Sequence, residues 1–330
     1  MKRSYYIYNN GILKRKDNTL QFQNEDGEKR YIPIETVDEI YVMGEMELNT
    51  NLINYLSQYG ITTHFFNYYS YYTGSFYPRE KNVSGELLVK QVEHYTNQDK
   101  RLEIAKKFID AASYNIYRNL RYYNGRGKDL KEYMDKIESL RKKIYESNSI
   151  SELMGYEGNI RKIYYESWNT IINQDIKFKK RVKNPPDNAI NTLISFVNTL
   201  VYTKVLSALY ETQLNPTISY LHEPGDRRFS LSLDIAEVFK PIIADRLIFS
   251  LFNKNQITEK SFTRNLNYLH LDKDASKMIV SELESRLEKT IKHKELGRSV
   301  SYKYLIKLEC YKLIKHLIDE KDYDPFKIWW

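Results

Sequence analysis

The sequence is poor in cysteine: Cys310 is its single thiol. That excludes internal disulfides and leads to the expectation of a reducing, cytoplasmic setting. A zinc site is disfavoured too, since the lone cysteine has no close histidine pair to complete a ligand set. Long apolar runs are scarce. No stretch reads as approaching the roughly 18 apolar residues of a membrane span, and the opening segment MKRSYYIYNNG has no apolar core of a signal peptide, so no membrane partner is expected. Acidic residues are outnumbered, 43 against 51 Lys and Arg, leaving a net charge of +8 and a pI near 9.1. Such an excess points to a polyanionic partner, either nucleic acid or an acidic membrane surface. The missing span weighs against the second.

What is present is ordinary for a folded protein: 42% hydrophobic and 28% charged residues in 330. That length exceeds what one core usually holds, so two domains are expected. Thirty tyrosines stand out. They stack on bases but also fill sheets, and composition alone does not separate the two uses. Residues 4–8 (SYYIY) and ILKRK flank Asn-Asn-Gly, a hairpin signal; TLQFQ, KRYIPI and EIYVMG continue as an apparent meander. The segment 50–60 reads as a short helix stopped by Gly60. From Glu86 onward the apolar period becomes helical, with segments at 98–120, 129–146, 157–173, 187–213, 231–251, 272–292 and 300–318. The expected fold class is α+β: a small N-terminal antiparallel β domain over 1–80, a linker at 81–86, and a larger all-α domain over 87–330.

Three islands in the helical half carry candidate chemistry. In 153–168, Glu157 stands at or near the first turn of a helix with Ile160, Ile163, Tyr164 and Trp168 on its apolar face. Its plain reading is a carboxylate stabilising a helix N-terminus. In 176–196, Lys177, Lys179, Lys180, Arg181 and Lys183 form a basic run closed by Pro185-Pro186, after which Asp187 or Asn188 caps a helix bearing Asn191 and Ser195. This is either a solvated charged loop or a loop that tracks phosphates. In 218–241, His222 precedes a Pro-Gly-Asp turn and a helix with Asp234 and Glu237 on one face. Two adjacent acids repel unless a cation lies between them, whereas His222 alone reads as an ordinary loop histidine. One glutamate, a histidine and an acid pair would suit a hard divalent ion, Mg2+ or Mn2+.

Together the islands resemble the CRISPR-associated integrases of spacer acquisition, the Cas-one family. The family pattern is an EG dipeptide, a Pro-Pro-x-x-x-x-Asn-x-x-x-Ser stretch, a histidine, and a D-x-x-[DE] helix start followed by Phe-[Arg/Lys]-Pro. Here these are Glu157-Gly158, Pro185-Pro186 through Asn191 and Ser195, His222, and Asp234 through Glu237 with Phe239-Lys240-Pro241. The opening YYIYNNGILKRKDNTL and the tail SYKYLIKLECYKLIKHLIDEKDYDPFKIWW resemble members from type I-B systems, so the likeness spans nearly the whole chain.

The resemblance implies a homodimer formed largely through the β domains and a catalytic helical domain. It implies Mg2+ or Mn2+ held by Glu157, His222 and Glu237, with Asp234 beside them. The implied reaction is phosphoryl transfer, a prespacer 3′-hydroxyl attacking a phosphodiester of the CRISPR repeat, with His222 a candidate for moving a proton at the leaving oxygen. Partners would be prespacer duplex, repeat DNA and the small Cas-two subunit. Lys177, Lys179, Lys180, Arg181 and Lys183, with Asn191, Ser195 and Lys240, would hold DNA. Lys240 stands where many members have arginine, which loses the bidentate phosphate contact. Two other readings remain open: a metal-dependent nuclease on branched or single-stranded DNA without integration, and a non-catalytic nucleic-acid scaffold.

Overall fold

A computed structural model describes residues 2–78, 82–176, 178–183, 185–226, 228–265 and 268–329. The chain divides into two compact units, Met1–Lys81 and Asn82–Trp330. The first contains β1 (Arg3–Ile7), β2 (Gly11–Lys16), β3 (Thr19–Asn24), β4 (Lys29–Pro33), β5 (Val37–Val42), β6 (Met46–Glu47), α1 (Thr50–Tyr59), β7 (Thr62–Phe66) and β8 (Tyr72–Phe76). They form two four-stranded sheets, ordered β1-β5-β7-β8 and β4-β3-β2-β6. In the second sheet β2, β3 and β4 pair antiparallel through the Asp17-Asn18 and Asp26-Gly27 turns.

The first sheet departs from the expected antiparallel domain: β1, β5 and β7 run parallel, and only β8 returns antiparallel. Nor do β1 and β2 form a hairpin. The Asn9-Asn10-Gly11 signal instead marks a crossing between the sheets. Gly11 has φ of +154°, and a side chain there would meet the Gln23 carbonyl oxygen at 2.1 Å, so only glycine lets the backbones approach this closely. Asn10 holds the crossing, its Oδ1 accepting from the Glu45 backbone N–H at 3.0 Å. Leu13, Leu20 and Phe22 of one sheet meet Val37, Ile40 and Val42 of the other, and Leu52 and Leu56 of α1 complete the buried cluster. Gly60 ends α1 in the left-handed conformation, φ +67°.

The second unit carries α2 (Gly85–Thr96), α3 (Gln98–Asn124), α4 (Lys131–Lys143), α5 (Ile150–Ile171), α6 (Ala189–Tyr210), α7 (Ser230–Lys240), α8 (Arg246–Asn253), α9 (Lys273–Glu288) and α10 (Tyr302–Leu317). It is not all-α. Hairpins β9 (Phe262–Asn265) with β10 (Tyr268–Leu271), and β11 (Thr290–Lys292) with β12 (Ser299–Ser301), flank α9. Strands of three or four residues leave too little alternation to be read from sequence. Against the expectation that no apolar stretch is long enough, α6 could cross a membrane by length and composition; 78% of its apolar window is buried inside the unit.

The helix expected over 231–251 is interrupted. Pro241–Asp245 is a single π-helical segment between α7 and α8. Proline lacks the N–H that would bond back one turn, and its ring clashes there, so the helix widens. Two asparagines of α3 satisfy the carbonyls left around it: Asn115 Nδ2 donates to the Val238 carbonyl at 3.0 Å and Asn119 Nδ2 to that of Pro241 at 2.6 Å. Asn115 Oδ1 also accepts from the Ile328 N–H at 2.9 Å, and the buried Glu309 accepts from the Tyr323 hydroxyl at 2.7 Å. The C-terminal tail is thereby pinned against α3 and α10.

Candidate active site

Helix α5 begins earlier than the sequence reading placed it. Ser149 caps it, accepting from the Glu152 N–H at 3.2 Å, while Glu152 reaches back to the Asn148 N–H at 2.9 Å. This Ser-x-x-Glu spacing was the overlooked start signal. Glu157 therefore sits in the helix interior, beyond useful reach of the N-terminal dipole, and needs another explanation.

One turn on, Arg161 supplies it. Its Nε donates to Glu157 Oε1 at 3.2 Å, and its Nη2 to Glu237 Oε2 on α7. The other Glu237 oxygen accepts from Lys240 Nζ, whose ammonium lies 4.7 Å from the centre of the Tyr202 ring. The two glutamates, eighty residues apart in sequence, thus share one guanidinium. Burial would raise the Glu237 carboxyl, but the Lys240 and Arg161 cations outweigh it and hold the group well below the usual carboxylate range.

His222 is placed by Asp234. That carboxylate is wholly buried; its Oδ2 accepts from the N–H groups of Tyr220 (2.7 Å) and Leu221 (2.9 Å), and its Oδ1 from His222 N–H (3.0 Å) and Nδ1 (2.7 Å). A carboxylate only accepts, so Nδ1 carries a proton and a neutral ring offers its lone pair at Nε2. The imidazole lies close enough to Glu237 for the two to interact electrostatically. With both oxygens engaged, Asp234 positions the histidine and its loop.

The structure therefore brings Glu157 and Glu237 together on Arg161, with His222 beside them and Asp234 behind. It does not gather three acidic, cysteine or histidine ligands around one point among the described residues. The donor set nevertheless suits a hard divalent ion. An imidazole oriented through its other nitrogen by a carboxylate is the usual form of a ligating histidine, and the buried Glu237 already requires positive charge at both oxygens. Arg161 and Lys240 now supply that charge.

The basic island is built differently from its plain reading. Asn188 caps α6, accepting from the Asn191 N–H at 2.9 Å. Asn191 has no exposed surface: its Nδ2 donates to the Lys180 carbonyl (3.0 Å) and Asp187 Oδ1 (2.6 Å), and its Oδ1 accepts from Arg181 and from the Val182 N–H. Arg181 Nη2 donates to Ser195 Oγ at 2.8 Å. Two expected DNA contacts are thus turned inward. Asn191 ties down the loop, and Lys240 is buried against Glu237; neither offers its polar atoms to a strand. Ser195 and Arg181, half-buried, brace the same loop, while Lys179, Lys180 and Lys183 are exposed. Lys177 lies outside the described residues. Arg161, Tyr202 and Asn119 were not singled out from sequence; only the i, i+4 spacing of Arg161 from Glu157 could have pointed to one of them.

A strand-rich unit followed by a helical unit, with two carboxylates and an oriented imidazole drawn from α5, α7 and the loop before it, defines a class of two-part proteins with a polar helical centre. The chain belongs to the family described as CRISPR associated protein Cas1, whose model matches residues 5–285. It is 70% identical over 330 residues, covering all of this chain and 98% of the relative, to the CRISPR-associated endonuclease Cas1 of Fusobacterium nucleatum subsp. nucleatum. Among solved structures it is similar to a CAS1 protein from Thermotoga maritima, with TM-score 0.87 and 43% identity over 98% of this chain and 100% of that one. A casposase bound to integration product shares the fold, with TM-score 0.88 at 21% identity over 100% and 95% of the two chains.

Proposed function

We propose that this chain is a metal-dependent DNA endonuclease and integrase that inserts spacers into a CRISPR array, acting in the prokaryotic cytoplasm. The observation that carries the reading is the convergence of Glu157 and Glu237 on one guanidinium next to a histidine whose Nε2 is presented by Asp234. Two relatives, 70% and 50% identical over nearly the whole chain, are named endonucleases. Glu157, His222 and Glu237 would hold Mg2+ or Mn2+. Bound there, the ion supplies Lewis-acid charge for a phosphodiester. In the reaction a prespacer 3′-hydroxyl oxygen forms a bond to a repeat phosphorus, and the bond from that phosphorus to the repeat's own 3′-oxygen breaks, leaving a new 3′-hydroxyl. Asp234 keeps the His222 ring in one tautomer and one orientation. Lys179, Lys180 and Lys183, on a loop fixed by Asn191 and Arg181, hold backbone phosphates with little regard to sequence. Partners under this reading are prespacer duplex, repeat DNA, a second copy joined through the N-terminal unit, and the small Cas-two subunit.

The test is a supercoiled repeat plasmid incubated with free-ended duplex in Mn2+, Mg2+ or EDTA. Joined products with either metal, lost in EDTA and in Glu157→Ala, His222→Ala and Glu237→Ala while DNA binding persists, are expected. Fragments without joining would favour a hydrolytic nuclease. Undiminished joining by all three variants would refute the proposed centre.

A further inference from the structure

Away from the glutamates, α8 and α9 bring two arginines together without an acid to neutralise them. Arg246, first residue of α8, donates through Nε to Asn119 Oδ1 at 2.6 Å. Arg286 of α9 donates through Nη2 to the Arg246 carbonyl at 3.4 Å. Among the described residues these are the only hydrogen bonds of the two guanidiniums and neither has an ion pair, so each keeps most of its five N–H donors unused. Both are half-buried, and burial lowers both, each arginine sitting in a largely phenolic surround that includes Tyr123 and Tyr302. Glu282 is the only acid among the groups acting most strongly on them, and it accepts from Gln256 at 3.3 Å. The exposed Tyr122 ring leaves one side open, packed under Arg246 at 5.8 Å and Arg126 at 4.6 Å.

Like charges held close in a partly dehydrated place repel, and folding gains nothing from them unless an anion joins. Arg246 is aimed rather than loose: Asn119 takes its Nε–H and is itself fixed to the Pro241 carbonyl and the Tyr164 hydroxyl. That leaves the paired Nη groups, the arrangement that grips two oxygens of one oxyanion. Tyr164 lies on α5 two turns past Glu157, about 10 Å along the axis. We propose that Arg246 and Arg286 form a phosphate-binding subsite of the helical unit, distinct from the Glu157–Glu237 centre, that takes a phosphate group from a nucleic-acid strand or free in solution.

The pair is tested with the full chain and Arg286→Gln, since that side chain makes one long hydrogen bond and its loss should not prevent folding. Inorganic phosphate is titrated against chloride at constant ionic strength and thermal unfolding is followed. Wild type should be stabilised by phosphate; Arg286→Gln should melt at or above wild type in chloride, its repulsion relieved, and should not respond. Affinity for a labelled duplex is then measured against salt in EDTA. The log–log slope should fall by roughly one unit in Arg286→Gln, with Arg246→Lys, which keeps charge but loses the fork, weakened at an unchanged slope. A phosphate response with an unaltered slope assigns the subsite to free phosphate; a lowered slope assigns it to a strand. An equal phosphate response in both proteins with equal slopes overturns it. A wild type that takes phosphate but never joins DNA sinks the integrase reading and leaves this one standing.

Discussion

Replacing Asp234 by asparagine is the sharpest test of how the His222 loop is held. The carboxylate accepts four hydrogen bonds, two at each oxygen, from Tyr220, Leu221 and His222. Asparagine keeps the shape but turns one oxygen into an NH2 group: at the Oδ2 position it opposes the Tyr220 and Leu221 N–H groups, and at the Oδ1 position it opposes the His222 N–H and forces the ring into its other tautomer. Each bond to a charged acceptor is worth about 1.5–3 kcal/mol; losing two predicts about 3–6 kcal/mol. For a unit of this size each kcal/mol shifts the midpoint by roughly 2–4 °C, so Asp234→Asn should melt on the order of 10 °C below wild type. His222→Ala removes only the ring contact of the four and should lose roughly half as much. Calorimetry in EDTA measures both without any bound ion. If Asp234→Asn melts within about 2 °C of wild type, or if the two variants fall equally, Asp234 is not the clamp described.

Other expectations concern the same unit. Arg161→Gln strips a buried partner from Glu237, leaving Lys240 alone; about 3 kcal/mol should be lost in EDTA, and scanning fluorimetry showing an unchanged midpoint would contradict the bridging role. Asp245 is pushed up to about 7 by burial, and its Oδ2 lacks a hydrogen-bond partner. Its folded form holds a proton that the unfolded chain releases near 3.8, so its contribution is intact below that value and is lost as pH rises towards 7. Asp245→Asn should therefore raise stability at pH 8 by on the order of 3 kcal/mol and change little at pH 4; parallel melting curves at both pH values would exclude this. Asn191→Ala should loosen the basic loop, and native-state trypsin cleavage at Lys179, Lys180 or Lys183 should quicken about tenfold.

Much of this architecture could be read in advance, and the failures have specific causes. The switch from alternating to helical period near Glu86 gave the two halves, because burial of one face imposes a period of 2 or 3.6. Asn9-Asn10-Gly11 was misread because turn chemistry reports a backbone bend, not which strand the chain joins next; the Gln23 carbonyl that demands Gly11 is distant in sequence. Glu157, His222 and Glu237 were legible as motifs, but Arg161 was not, since a cation one turn from an acid is commonplace on helix surfaces. Asn115 and Asn119 carry no signal either: their worth comes from the carbonyls around Pro241, which exist only once α3 packs on α7.

The π segment at Pro241–Asp245 sets the angular phase between the two halves of one long helix. A single extra residue in a turn rotates everything after it by about 100° relative to an uninterrupted α-helix. Glu237 upstream and Arg246 downstream consequently face their separate partners, Arg161 of α5 and Asn119 of α3, by virtue of that surplus residue. Deleting any one residue from 241–245 would leave the composition nearly untouched and yet swing Arg246 away from Asn119 and Arg286, so this stretch should tolerate substitution far better than a change in length.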